Sequence, residues 1–357
     1  MFGGHRLRQL APSRRAILAR MSYAILAMCI GVMLATPAAA DEFYKDKTIQ
    51  IVIGSAAGGS YDAYGRLLAR HMGRLIAGNP AMVPRNMPGA AGTAVATWIY
   101  SVAPKDGTAL GAPLNVLPLM QLLDPAKIQF DCAELQWIGT VASPTNVLVT
   151  WHGAGVKTLA DAKQREVLIG ATTPGTTMEM YPLMANSLFG TKFKVITGYQ
   201  GGAEINIAME RGEVQGRGSN SYMSYMFQNA DWIRDKKIDV LFQMTLKRDP
   251  LLPDVPALIE LAETDEQRQI VSLLATTETI GRPVIAPPGT PPERIATLRQ
   301  ALNDAVKDRQ FLDDAKKASL EVQPIAGEDM QRMISDLVTV RPEVVEKYKL
   351  AVQSRRN

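Results

Sequence analysis

The sequence predicts an α/β protein of two lobes, with parallel-rich sheets covered by helices. Strand-like runs alternate with segments of helical spacing from beginning to end, and alternation of this kind predicts parallel sheets with helices on their faces. The chain has 357 residues, more than one core usually spans, so two lobes are expected.

Ile49 to Ile53 is a short apolar, β-branched run. After a glycine-rich turn, Tyr64, Leu67, Leu68, Met72, Leu75 and Ile76 recur at helical spacing, which makes a strand, loop and helix. Strand signals return at 147–150, 167–170, 193–196 and 240–243, with helical stretches around 180–188 and 204–211. Near the C-terminus 284–286 reads as a strand, and the proline-rich run 287–292 is a rigid connector. Thr290 and Glu293 have capping-box spacing with prolines at the first helical positions. A helix is therefore expected to start there and to carry Ile295, Leu298, Leu302 and Val306 on one face. Further helices are expected from Asp308 and from Glu328.

The first forty residues hold Arg6, Arg8, Arg14, Arg15 and Arg20 but no acid, and an apolar run from Tyr23 to Ala35 leads to Ala38, Ala39 and Ala40. That is the layout of a cleavable export signal, residues 1–40, with the mature chain starting at Asp41. The apolar run of about 13 residues is short for the ~20 that a membrane-spanning helix needs. Arg14 and Arg15 also fit a twin-arginine signal, so the export route stays open. Bulky Met28 directly before Cys29 argues against lipid attachment. The expected location is the periplasm.

The 39 lysines and arginines less the five in the leader leave 34, against 35 aspartates and glutamates. The mature chain is thus close to neutral, and no basic stripe with interleaved aromatics remains to suggest a nucleic-acid partner. One cysteine, Cys132, survives cleavage, so no internal disulfide can form. No basic residue or histidine lies near it in sequence, and an inert buried position is expected.

Two loops could hold an anion. Ala57, Gly58, Gly59, Ser60 and Asp62 lie between the first strand and the first helix. Paired glycines can turn successive N–H groups into one concavity, and the helix N-terminus adds partial positive charge. The loop matches neither a P-loop nor the dinucleotide G-x-G-x-x-G pattern, and a plain tight turn is the alternative. Asp62 suits helix capping, with Arg66 one turn later as its i, i+4 partner, or it could receive an amine on a zwitterionic ligand. Thr172, Thr173, Gly175, Thr176 and Thr177 form the second loop, again between a strand and a helix, and add hydroxyl donors. Two such loops some 115 residues apart could sit on different lobes and face each other across a cleft. Glycine-rich segments around Asn86 and Gly89, and around Tyr199, could line that cleft or be turns.

These loops carry a resemblance. Gly58, Gly59, Asp62 and Arg66; Asn86, Pro88, Gly89 and Ala90; Lys105, Asp106 and Gly107; Gly175; Tyr199, Gly201 and Gly202; Arg248, Leu252, Pro253, Asp254, Val255 and Pro256; and Pro287, Gly289, Thr290 and Pro291 follow in an order and spacing that resembles the Bug-type substrate-binding proteins of the tripartite tricarboxylate transporter family. The resemblance covers nearly the whole mature chain. It implies a periplasmic binding protein fold of the type II, Venus-flytrap kind, with one lobe discontinuous. The expected lobes are 41–142 with 279–357, and 143–278, with crossings near 141–146 and 276–282. The resemblance also implies a small carboxylate ligand held largely by main-chain groups at 57–62 and 172–177. Here the second loop departs from the usual serine and glycine version in having Pro174 and four threonines. Ser219 stands where many relatives have an aspartate beside Asn220, and Arg217 precedes it by two residues. Arg217 and Asn220 join the candidate cleft residues.

The mature chain has only His71 and His152, no H-E-x-x-H, no G-x-S-x-G and no cysteine pair, so hydrolase and zinc motifs are absent. A non-enzymatic receptor without cofactor or metal is expected, a monomer that works with membrane transporter subunits. A ligand sensor feeding a signalling partner and a carboxylate-based enzyme are the alternatives.

Overall fold

A computed structural model describes residues 43–353 except 56, 59, 90, 91 and 173–175. The leader expected at 1–40 lies outside the described residues. The chain begins as β1 (Thr48–Ile53), α1 (Ser60–His71), β2 (Ala81–Asn86), α2 (Thr93–Ser101), β3 (Ala109–Ala112), α3 (Leu117–Leu123) and β4 (Gln136–Thr140). A second series follows: β5 (Asn146–Trp151), α4 (Leu159–Gln164), β6 (Val167–Gly170), α5 (Thr177–Phe189), β7 (Phe193–Ile196), α6 (Gly202–Glu210), β8 (Gly216–Ser221), α7 (Tyr222–Gln228), α8 (Ala230–Arg234) and β9 (Ile238–Gln243). The long helix α9 (Asp265–Ile280) leads back to β10 (Pro283–Ala286), α10 (Pro292–Ala305), α11 (Arg309–Lys317), β11 (Ile325–Ala326), α12 (Gly327–Val338) and α13 (Pro342–Gln353).

The strands form two sheets, in the orders β11-β4-β10-β3-β1-β2 and β7-β6-β8-β5-β9. The α/β layering expected from the alternation is therefore present, once per sheet. Both sheets are mixed. β1 runs parallel to β2 and β3, and β6 parallel to β7 and β8, as helix crossovers require. The antiparallel pairs are β10 with β3 and β4, β11 with β4, and β5 with β8 and β9, so each includes a strand next to a segment that passes between the sheets. Those segments run side by side: Arg282 N–H donates to the Ala142 carbonyl at 2.8 Å, and Ser143 N–H to the Gln323 carbonyl at 2.9 Å.

Three apolar clusters hold the layers. Ile49, Ile51 and Ile53 of β1 pack with Leu67 and Leu68 of α1 and with Leu298, Leu302 and Phe311. Val147 and Val149 of β5 pack with Ile205, Met209, Tyr225 and Trp232 on the far face of the second sheet. The third cluster joins the sheets, running from Val95, Ile99 and Trp137 through Leu273, Leu274, Met330 and Tyr348 to Leu148, Ile169 and Met184. Burial of this apolar surface, at about 25 cal/mol per Å², fixes the two layers to one another on this side.

The expected capping box at Thr290 and Glu293 is absent. The Thr290 hydroxyl donates to the Pro287 carbonyl at 2.9 Å, and α10 starts at Pro292 without a side-chain cap. The proline-rich connector folds the threonine back on itself, and Pro292, which has no N–H to cap, opens the helix. Asp308 does cap its helix, accepting from Phe311 N–H at 2.9 Å. Cys132 is buried, and burial pushes its thiol up, away from reactivity. His71 is buried against Phe311 with Nε2 3.1 Å from Asp314. Among the described residues no helix is long and apolar enough to cross a membrane.

Candidate functional site

Residues of both sheets line a cleft of about 390 Å³. On one wall α1 begins with Ser60, Tyr61 and Tyr64; on the other α5 begins with Thr177 and Met178. The first N–H groups of a helix have no partner within it, so each wall presents a helix end suited to an anion. The rest of the lining is Asn115 and Val116 after β3, Pro144 and Asn146 on a crossing segment, Ser219, Asn220 and Ser221 of β8, Ser224, and Glu278, Arg282 and 319–321.

The first wall is held by its own side chains. Asp62 is buried and accepts from Gly58 N–H at 2.9 Å, Arg66 Nε at 2.9 Å and Asn86 Nδ2 at 2.8 Å. Although burial opposes it, these bonds from Arg66, Gly58 and Asn86 keep the carboxyl below its ordinary range. Asn86 also donates to the Ser55 carbonyl, at 3.0 Å. Asp62, Arg66 and Asn86 thus organise the turn: the pairing of Asp62 with Arg66 is as expected, while the backbone N–H that Asp62 accepts from is that of Gly58, ahead of the helix rather than in it.

The second wall is held by β8. A Cβ at Gly218 would lie 1.9 Å from the Met178 carbonyl oxygen, so only glycine lets the strand approach the helix this closely. Thr177 Oγ1 meets Ser219 Oγ at 3.3 Å.

The floor carries the charges. Arg282 stacks over the Tyr61 ring at 4.3 Å and donates to the Tyr61 hydroxyl at 3.3 Å. No carboxylate pairs with it among the described residues, and its Nε is buried without a partner. The Tyr61 hydroxyl is 3.0 Å from Asn115 Oδ1, and Asn115 Nδ2 donates to the Thr277 carbonyl at 3.1 Å. Glu278 accepts from Asn146 Nδ2 at 2.7 Å, and burial raises its carboxyl above the ordinary range. Glu321 accepts from the Ser221 hydroxyl, which links the two sheets across the cleft, and burial raises it too. The positive charge of Arg282 acts on both carboxyls in the opposite direction, lowering them.

Besides Asp62 and Asn86, the candidate residues fall into four groups. Ser60, Thr177 and Asn220 line the cleft. Ala57 and Gly58 are exposed beside the first wall, while the Thr172 carbonyl accepts from Gly198 N–H at 2.7 Å and Thr176 is the N-cap of α5. Gly59, Thr173 and Gly175 lie outside the described residues. Gly89 is exposed, Tyr199 packs against the outer cluster of the second sheet, and Arg217 lines a separate groove. Sequence reasoning missed Asn115, Glu278, Arg282 and Glu321, and gave the Tyr61 side chain no role although Tyr61 lies within the loop expected at 57–62. For Glu278 and Arg282 a signal existed: they are the two charged residues of the crossing segment expected at 276–282.

The chain is 25% identical over 345 residues to a UPF0065 protein from the gbd 5′ region of Cupriavidus necator, an alignment covering 95% of this chain and 98% of that protein. Its fold is similar to that of a TctC solute-binding protein from Polaromonas, solved without ligand (TM-score 0.66, 19% identity, 85% of this chain and 99% of the other). It is also similar to an R. palustris protein solved with adipate (TM-score 0.55, 19% identity, 85% and 97%). A family model described as tripartite tricarboxylate transporter family receptor matches residues 65–350, and the chain belongs to that family.

Proposed function

We propose that this protein is an extracytoplasmic solute-binding receptor that captures a small organic carboxylate between its lobes and hands it to membrane transporter subunits. The observation that carries this reading is the convergence of two helix N-termini, at Ser60 and Thr177, on one cleft that also holds the unpaired guanidinium of Arg282. Hydroxyl and amide groups of Asn115, Asn146, Ser219 and Asn220 supply the remaining hydrogen bonds. The adipate bound by the R. palustris neighbour belongs to the same ligand class. Main-chain groups at 57–62 and 172–177 take the carboxylate, and the lobes, 41–142 with 279–357 and 143–278, close over it about the crossing segments. The ligand favours closure by the difference between its affinities for the closed and open forms. The receptor acts as a periplasmic monomer without cofactor or catalysis, after removal of residues 1–40.

Mass spectrometry of small molecules released from natively purified, exported protein tests the reading. A stoichiometric carboxylate, recovered unchanged after incubation and rebound in calorimetry, is the expected result. A ligand without a carboxylate, or turnover of the bound compound, overturns it.

A further inference from the structure

Arg217 on β8 is 93% buried, since only 7% of it is accessible, yet every acceptor it reaches is neutral. Its Nη1 donates to Asn206 Oδ1 at 3.1 Å and the Gly202 carbonyl at 3.4 Å, and its Nη2 to Asn220 Oδ1 at 3.1 Å. Its Nε is buried with no partner, and no carboxylate pairs with it among the described residues. The nearby Tyr225 phenol cannot serve as a counter-ion, because burial pushes its pKa up to about 12. The nine-residue helix α6 starts at Gly202, against the same guanidinium: a Cβ there would lie 2.2 Å from Nη2. A helix N-terminus adds positive potential. Two sources of positive charge therefore meet at a desolvated point; the acid on the helix's first turn, Glu204, accepts from Gln200 N–H at 2.8 Å and does not pair with the guanidinium among the described residues, so the arrangement is costly unless an anion completes it.

There is room for one. Arg217, Asn206, Asn220, Ser224 and Trp232 line a groove of about 440 Å³ on the outer face of the second sheet, together with Glu210, whose carboxylate accepts from Trp232 Nε1 at 3.2 Å. Its amides and hydroxyl add hydrogen-bonding groups, and the Trp232 ring system is buried in the outer cluster. We propose that this groove is a second anion site, distinct from the interlobe cleft, which takes a small oxyanion on the guanidinium of Arg217. Asn220 and Ser224 border both the groove and the cleft, so the second site abuts the first wherever β8 ends.

The test compares melting temperatures of the whole mature protein in chloride with those after addition of sulfate, phosphate or acetate at constant ionic strength. Wild type should show a saturable rise of a few degrees with at least one of them; the oxyanion that saturates at the lowest concentration identifies the source, tetrahedral or carboxylate. Arg217→Gln should lose the response. Asn206→Asp puts a carboxylate on the same guanidinium, so it should melt higher than wild type in chloride alone and no longer respond, which keeps the test decisive even if Arg217→Gln does not fold. Arg282→Gln, altered in the cleft, should keep the part of the response that Arg217→Gln loses, even where acetate binding in the cleft is weakened. The proposal is overturned if wild type gives no saturable rise, if Asn206→Asp responds like wild type, or if Arg282→Gln abolishes the response, which would place the anion in the cleft.

Discussion

The turn from β1 into α1 and the turn from β6 into α5 bring helix ends to the same cleft but are held there by different means. The first braces itself: Asp62 gathers Gly58, Arg66 and Asn86, all from the β1 to β2 stretch of its own sheet, around one carboxylate. The second is braced from outside, by the close approach of Gly218 to Met178 and the contact of Thr177 with Ser219. A self-braced turn fails only when its own residues change. The other fails when β8 moves, and β8 is also the strand that carries Asn220 and Arg217.

The largest expected effect therefore comes from Gly218→Ala. The added carbon has no space beside the Met178 carbonyl, and forcing volume into a packed contact costs up to about 3 kcal/mol. Denaturant unfolding should show that loss, and calorimetry should show that carboxylate binding is lost with it. Asp62→Ala comes next. Hydrogen bonds to charged groups contribute about 1.5–3 kcal/mol, and the half-exposed Arg66 adds little beyond that, so a destabilisation of about 2 kcal/mol is expected. If the two turns are braced independently, the doubly altered protein should lose the sum of the single losses.

Smaller changes sharpen the comparison at the ligand. Arg282→Gln should weaken carboxylate binding about tenfold, or roughly 1.4 kcal/mol, with little change in unfolding. Thr177→Val removes one hydroxyl from the second wall and should cost about 0.5–1.5 kcal/mol of affinity, whereas the same measurement on Asp62→Ala reports loss of the first wall's shape. The smallest effect is a pH dependence behind the first wall. Lys317, His71 and Arg70 hold the Asp314 carboxyl at about 2, below its ordinary value of 3.8. A depressed carboxyl contributes stability that is present above its unfolded value and is lost as pH falls from about 4 toward about 2. Melting curves of Asp314→Asn should show a shallower acid loss than wild type over that window.

The layers of the fold were legible because β1 and α1 bury their apolar residues in local patterns of period two and 3.6, and such patterns need no knowledge of distant partners. β8 shows the opposite case. Its sequence, Gly-Arg-Gly-Ser-Asn-Ser, has no apolar residue and reads as a loop, yet it is the central strand of its sheet, because glycine is what the packing against Met178 and Val149 allows. The site divides in the same way. Ser60 and Thr177 were visible as strand-to-helix turns. Arg282, Glu278 and Glu321 reach the cleft only because the crossing segments run side by side, a long-range contact that no local period encodes. Thr290 fails for a related reason: its spacing to Glu293 suits a capping box, but the surrounding prolines turn its hydroxyl toward Pro287.

The most direct measurement is a crystal structure of the protein loaded with its co-purified carboxylate. The account predicts one carboxylate group inside the cleft, with oxygens within about 3.2 Å of main-chain N–H groups at the starts of both α1 and α5. A carboxylate seated outside the cleft, or inside it but beyond hydrogen-bonding reach of both helix ends, would contradict it.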